Sequence, residues 1–320
     1  MARFLLRRVL FMALTLWLIS VVIFVVTEVL PGDVATAIMG QEATAEDLAR
    51  IRERCGLNRP RLVRYMEWVG GAVRGDLGES CHCLETTGKD CSVSLKIAGR
   101  LGNSVTLALL TLLVGVPLSL ALGVAAALRR GRLLDGALSA GMLAAVSVPE
   151  FVSGMVLILI FGVWLQWLPT TSILTPGVRL LEQWTVLVLP AATLVAVMLA
   201  HTARQTRTGM IQVLESNYIR TAVLKGLRWR TVVVKHALRN ALLPAITVIA
   251  LNVGWLVGGL IIVENVFSYP GIGKLLLEAV ENRDVPLLQG VAMLIALSYA
   301  GANLLADLLY ARLNPRIRYS

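Results

Sequence analysis

Six apolar runs divide the chain, at about residues 9–29, 103–128, 136–168, 184–200, 241–263 and 286–310. Crossing about 30 Å of hydrocarbon takes roughly 20 mostly apolar residues per helix, so each run reads as one crossing, the third over-long and the fourth short. With 57% of residues hydrophobic and 16% charged, a membrane is the expected solvent. The first run follows Arg3, Arg7 and Arg8 but is too long for a signal peptide and lacks a cleavage site, so it is expected to be a retained anchor.

The net charge of +10 does not imply nucleic-acid binding, because the basic residues fall where the positive-inside rule places them. Arg129, Arg130 and Arg132 follow the second run, and Arg204, Arg207, Arg220, Lys225, Arg228, Arg230, Lys235 and Arg239 the fourth. Arg312, Arg316 and Arg318 close the chain. The shorter loops facing the other way carry Arg179, and Lys274 and Arg283 diluted by Glu264, Glu278, Glu281 and Asp284, while the long loop after the first run is rich in arginine but long enough to be translocated regardless of charge. The expected topology is six spans with both ends in the cytoplasm.

The organisation that follows is an N-terminal end and first span (1–29), an extracytoplasmic helical loop (30–100), a five-helix core (101–310) with a cytoplasmic loop at 202–240, and a tail (311–320). Cys55, Cys81, Cys83 and Cys91 all fall in the long loop, as candidate disulfides in an oxidising exterior. Four cysteines allow three pairings, and spacing does not choose among them. Cys81-His82-Cys83 with Cys91 is also a conceivable soft-metal set, but no second pair supports it, and no metal is expected. Thr44 with Asp47 forms a capping-box pattern ahead of Leu48 and Ile51, with a stop at Cys55-Gly56. A second helix is expected from Pro60 to a break at Gly70-Gly71. Such an element serves as a lid over the span ends, as a docking surface or as a gate.

Chemistry is sparse in the spans. Glu28, Glu150 and Asp307 are the acids there, with His201 at an edge, too few for an ion-coupled carrier's relay. Glu150, beside Pro149 and near Ser147, is a candidate for the wall or gate of a pathway, although an acid at a proline bend also serves freed backbone groups. Neither Gly88-Lys89 nor Gly273-Lys274 continues into a phosphate-binding loop, so the chain is not expected to hydrolyse ATP. No nucleophile–base set supports an intramembrane hydrolase, and catalytic residues are expected to be none.

The informative segment runs from Asn217 to Pro244, NYIRTAVLKGLRWRTVVVKHALRNALLP. Asn217 can cap a helix with Ile219, Ala222, Val223 and Gly226 on one stripe. Gly226 then permits a turn before a second short helix over 228–238 with basic residues outward. Ala222 and Gly226, four apart, suit close approach by another protein. The competing reading is a basic amphipathic helix on anionic lipid.

This segment resembles the coupling loop of ABC importer permeases, in the variant of dipeptide and oligopeptide importers. The matching residues are Arg220, Thr221, Ala222, Lys225, Gly226, His236, Ala237, Arg239, Asn240, Ala241, Leu242, Leu243 and Pro244. It departs from the general EAA pattern at Arg220-Thr221 and at Leu238-Arg239. The resemblance extends through Pro31-Gly32-Asp33, Gly56-Leu57-Asn58-Arg59-Pro60, Gly75-Asp76-Leu77-Gly78, Ser147-x-Pro149-x-Phe151, Trp167-Leu168-Pro169, Glu264 to Gly273, Asn282-Arg283-Asp284 and Asn314 to Tyr319. The segment from Cys81 to Cys91 is outside it.

The resemblance implies an all-α, six-helix type I importer permease, the first of a paralogous pair, in the bacterial inner membrane. Its implied partners are a second permease, two cytoplasmic ATPases that hold ATP and magnesium, and an extracytoplasmic binding protein that delivers di- or oligopeptides. Nickel or metallophore complexes, glutathione and opines are the implied alternatives. Tyr218, Arg220, Thr221, Ala222, Lys225, Gly226, His236 and Arg239 would then couple the ATPases to the spans. A surface or re-entrant helix is expected from Ile272 to about Glu281, with Pro286 opening the last span.

Overall fold

The computed structural model describes residues 2–29, 36, 44–86, 88–175, 178 and 180–313. Pro31-Gly32-Asp33, Arg179 and the block from Asn314 to Tyr319 lie outside them. Among the described residues the fold is helical, and extended pairing is limited to one bridge between Glu79 and Ser92. Residues 1–105 with 268–300 form one compact unit, and residues 106–267 with 301–320 a second.

The first unit begins with α1 (Ala2–Val29). The long loop then supplies α2 (Ala45–Arg54), α3 (Arg61–Val73) and α4 (Cys81–Thr86) before α5 (Val93–Leu128) starts. The capping box at α2 is present in both directions, and the helix ends at Cys55, followed by Gly56 at φ 63°. The expected break at Gly70-Gly71 is absent: both residues lie inside α3, which ends at Arg74 and Gly75. Gly71 serves close approach instead, since a Cβ there would meet the Asp76 carbonyl oxygen at 2.7 Å. Helix α12 (Ile272–Glu281) occupies the expected range. With the start of α13 (Val285–Leu313) it buries Ile272, Leu275, Ala279, Leu287 and Val291 against Val93 and Ile97 of α5.

The second unit holds α6 (Leu133–Ser147), α7 (Glu150–Leu157) continued by a π segment (Ile158–Trp164), α8 (Thr185–Leu214), α9 (Asn217–Leu224), α10 (Trp229–Thr231) and α11 (Leu238–Val266). The over-long third run is a broken element: α6 and the α7 segment bend by 109° where Pro149 disfavours a helical Val148. Among the described residues five helices are long and apolar enough to cross a membrane, and the bent pair makes a sixth if it counts as one span. The fourth run, short by hydropathy, is the start of a 30-residue helix whose later turns carry Arg204 and Arg207. Within this unit α5 meets α8 through Gly115 and Gly123, with the buried Ser119 midway between them in sequence. A Cβ at Gly115 would lie 2.0 Å from Met198 Cε, and one at Gly123 2.5 Å from the Ala203 carbonyl oxygen. Small residues at this spacing let membrane helices approach closely where no hydrophobic driving force exists.

Candidate functional site

The segment after α8 turns twice. Ser216, not Asn217, occupies the N-cap of α9, and its hydroxyl donates back to the Val213 carbonyl instead of capping. The C-terminus closes with the Gly226 amide on the Val223 carbonyl at 2.9 Å and the Leu227 amide on the Ala222 carbonyl at 3.4 Å. This pair of bonds is the Schellman arrangement, and it requires a left-handed residue at Gly226, found at φ 75°. The second helix is shorter than expected as an independent element, because α10 passes through a π segment (Val232–Ala237) directly into α11.

Ile219 and Ala222 are turned inward, onto Ala127, Met210, Val232, Val233, Ala237 and Ala241. Fully burying an aliphatic side chain such as Ile219 contributes about 2 kcal/mol, enough to set which face of an eight-residue helix is inside. Ala222 is therefore not available to an outside partner, contrary to the small-residue reading. The outward surface is Tyr218, Val223, Leu224, Leu227 and Trp229, with Leu224 80% exposed. Arg220, Thr221, Lys225, Gly226 and Arg239 are also exposed, and His236 is half-buried. Asn240 donates to the Tyr218 hydroxyl at 2.9 Å, joining α9 to α11. The outward leucines were legible as exposed only once Ile219 and Ala222 had fixed the inner face.

Two further features brace this unit. Arg207 of α8 forms a bidentate pair with Asp135 of α6 at 2.6 and 2.8 Å, and Asn252 of α11 donates to Thr202 of α8 at 2.8 Å. At the bend, Ser147 is exposed and donates to the Leu143 carbonyl, while Pro149 is the N-cap of α7. Glu150 Oε2 is buried with no hydrogen-bond partner. A Cβ at Gly259 of α11 would lie 3.0 Å from it, with Leu194 and Trp255 beside the same glycine.

In the first unit the four cysteines pair as Cys55–Cys81 and Cys83–Cys91. Asp284, 1% exposed, ties this loop to the start of α13. It accepts from the Ser80 hydroxyl, from the Cys81 amide at 3.2 Å and from the Leu287 amide at 3.4 Å, and Lys96 reaches the Ser80 hydroxyl at 2.9 Å. In the sequence Asp284 is a charge diluting a loop and part of the Asn282-Arg283-Asp284 match, and neither marks it as an anchor. Its place two residues before Pro286, at the head of an apolar run, is the cap signal that marks it.

Residues 119–319 match the sequence profile described as binding-protein-dependent transport system inner membrane component, and residues 1–108 match that of its N-terminal region. The glutathione transport system permease protein GsiC of Escherichia coli (strain K12) is 37% identical over 319 residues, covering 100% of both chains. The proteins of that name from Escherichia coli O6:H1 and Salmonella typhi match at the same identity and coverage.

Proposed function

The chain belongs to the family of binding-protein-dependent transport system inner membrane components, and on that premise we propose that its cargo is a short peptide delivered by an extracytoplasmic binding protein. It is a permease subunit of an ABC importer with the type I permease fold, and it is not itself an enzyme. The observation that carries the peptide reading is the end-to-end match at 37% identity to relatives named for glutathione, itself a tripeptide. Glutathione is thus the first ligand to try within that class.

In this reading both termini are cytoplasmic, and the elbow from Asn217 to Arg239 receives one of two ATPase subunits that hold ATP and magnesium. Val223, Leu224 and Leu227 would seat in the ATPase, with Arg220, Lys225 and Arg239 as the charged rim. A second, paralogous permease would complete the pathway. ATP-driven approach of the two elbows would switch the spans between discrete packings. Ser147, Pro149 and Glu150 would form part of the pathway wall at the bend. Glu150→Gln should lower uptake at unchanged complex yield; unchanged uptake would remove Glu150 from the pathway.

The decisive experiment is gentle purification from the native membrane, with identification of the co-purifying chains and of the binding protein's ligand by mass spectrometry. A second permease, ATPases and a peptide-loaded binding protein are the expected outcome. A binding protein loaded with a metal complex or an opine would overturn the cargo, and a chain that transports alone would overturn the assembly.

A further inference from the structure

Helix α3 has three faces of different character. At 3.6 residues per turn, Arg61, Arg64, Tyr65 and Trp68 share one face. That face packs on α1: Tyr65 and Trp68 rings lie 5.3 and 6.4 Å from Phe24, and the Tyr65 hydroxyl is 3.0 Å from the Ser20 hydroxyl. Arg64 and Arg61 pair with Glu28 at 2.8 and 3.5 Å. A second face carries Glu67, bound to Arg59 at 2.8 Å, and Gly71 under the Asp76 carbonyl. The third carries Leu62, Met66 and Val73, which are 69%, 61% and 84% exposed, with Val69 between them.

Depth decides what covers this third face. The apolar stretch of α1 runs from Leu6 to Glu28, so Glu28 marks one boundary of the hydrocarbon. At 1.5 Å per residue, Phe24 lies about 6 Å and Ser20 about 12 Å inside that boundary. Helix α3 crosses α1 at this level. On the same side of α1, farther in, Leu10, Leu14 and Trp17 are exposed, so the apolar stripe of α3 continues an exposed apolar surface of a span. A partner arriving from water would meet the Glu67 face instead. Amphipathic helices that lie in a bilayer interface sit about 5–10 Å into it, with charged residues at the headgroups, as Arg61 would be here.

We propose that α3 is an interfacial helix whose Leu62, Met66, Val69 and Val73 face rests among the acyl chains of the leaflet next to the loop, so that the cysteine-bearing element is anchored in the bilayer instead of standing clear of it. The side on which this leaflet lies rests on the orientation proposed above. The test uses the assembled importer in native membranes, with Met66→Cys, Val73→Cys and Glu67→Cys probed by an impermeant maleimide in right-side-out and inverted vesicles. The residue at position 67 should label in right-side-out vesicles, and those at 66 and 73 at least about tenfold more slowly until detergent is added, as burial in the acyl region requires. Equal labelling at all three would overturn the proposal. Labelling of position 67 only in inverted vesicles would overturn the orientation and leave the depth intact. Because a protein partner would also protect, p-benzoylphenylalanine at positions 66 and 73 is photolysed in parallel: phospholipid adducts support the proposal, and adducts with the second permease or the binding protein overturn it.

Discussion

The cysteine-bearing element and the elbow after α8 are both short helices between spans, yet they are held by opposite means. The first is fixed to its own unit by two disulfides, by the buried Asp284 bonds and by the aromatic cluster on α1. The elbow is held by the inward side chains Ile219 and Ala222 and by the hydrogen bond from Asn240 to Tyr218, and it leaves Leu224 and Trp229 bare. The difference teaches that two loops of similar build can be held by different chemistry, covalent and polar in the first and apolar packing in the second. On the function proposed above, the bare face of the elbow would leave part of its burial to an ATPase subunit.

Three changes break the contrast, in descending order of effect. Asp284→Ala removes an acceptor of three bonds at a site 1% exposed. Bonds to a charged buried group are worth about 1.5–3 kcal/mol each, so a loss of at least about 4.5 kcal/mol is expected, read as a fall in melting temperature in detergent. A melting point unchanged within error would mean that the first element is not anchored through α13. Next, Cys55→Ser with Cys81→Ser opens a link 26 residues apart in sequence, at a cost of about 3.5 kcal/mol by the chain-entropy account. Opening Cys83–Cys91, 8 apart, should cost about 1 kcal/mol less. Equal thermal stability with and without reductant would show the disulfides to be incidental.

At the elbow, Leu224→Asp should leave stability nearly unchanged, since the side chain is 80% exposed. It should weaken ATPase retention by about 2 kcal/mol, roughly 30-fold, as for a central apolar contact in an interface. Quantitative co-purification reads this directly. Ala222→Asp makes the comparison sharper, because an inward position should instead cost the stability of the elbow itself.

Much of this architecture is legible in the sequence because membrane helices announce themselves by hydropathy and caps by local pattern. The span positions, the α2 capping box, the Gly226 turn and the range of α12 are all of this kind. Pro149 marks the bend in the sequence, but its size of 109° is hidden because both halves are apolar and hydropathy runs through it. The inward turn of Ala222 is hidden for another reason: a small residue suits either a partner or its own chain, and only the packing of Met210, Val232 and Val233 decides. Asp284 shows the same limit for polar groups, since a loop acid and a buried anchor look alike until Ser80 and Cys81, some 200 positions earlier in sequence, are brought to it.

The smallest expected effect lies inside the first element, at the end of α2 that no disulfide holds. Thr44 and Asp47 cap that helix reciprocally, with the Asp47 amide 3.2 Å from the Thr44 hydroxyl oxygen and the hydroxyl donating back to the carboxylate at 2.6 Å. The Thr44 hydroxyl, with smaller help from its amide and from the Arg50 charge, holds the Asp47 carboxyl below its ordinary value of 3.8. A depressed folded value means that the cap's contribution is fully present above pH 3.8 and fades as pH falls through the lower folded value. Hydrogen exchange at the first turn of α2, corrected for its intrinsic pH dependence, should therefore accelerate only below pH 3.8, while exchange next to Cys55 stays constant. Thr44→Ala should move the acceleration up toward that ordinary value. If both ends of α2 loosened together, the helix would be held as one unit by its disulfide, and the capping box would contribute nothing to the order of the element.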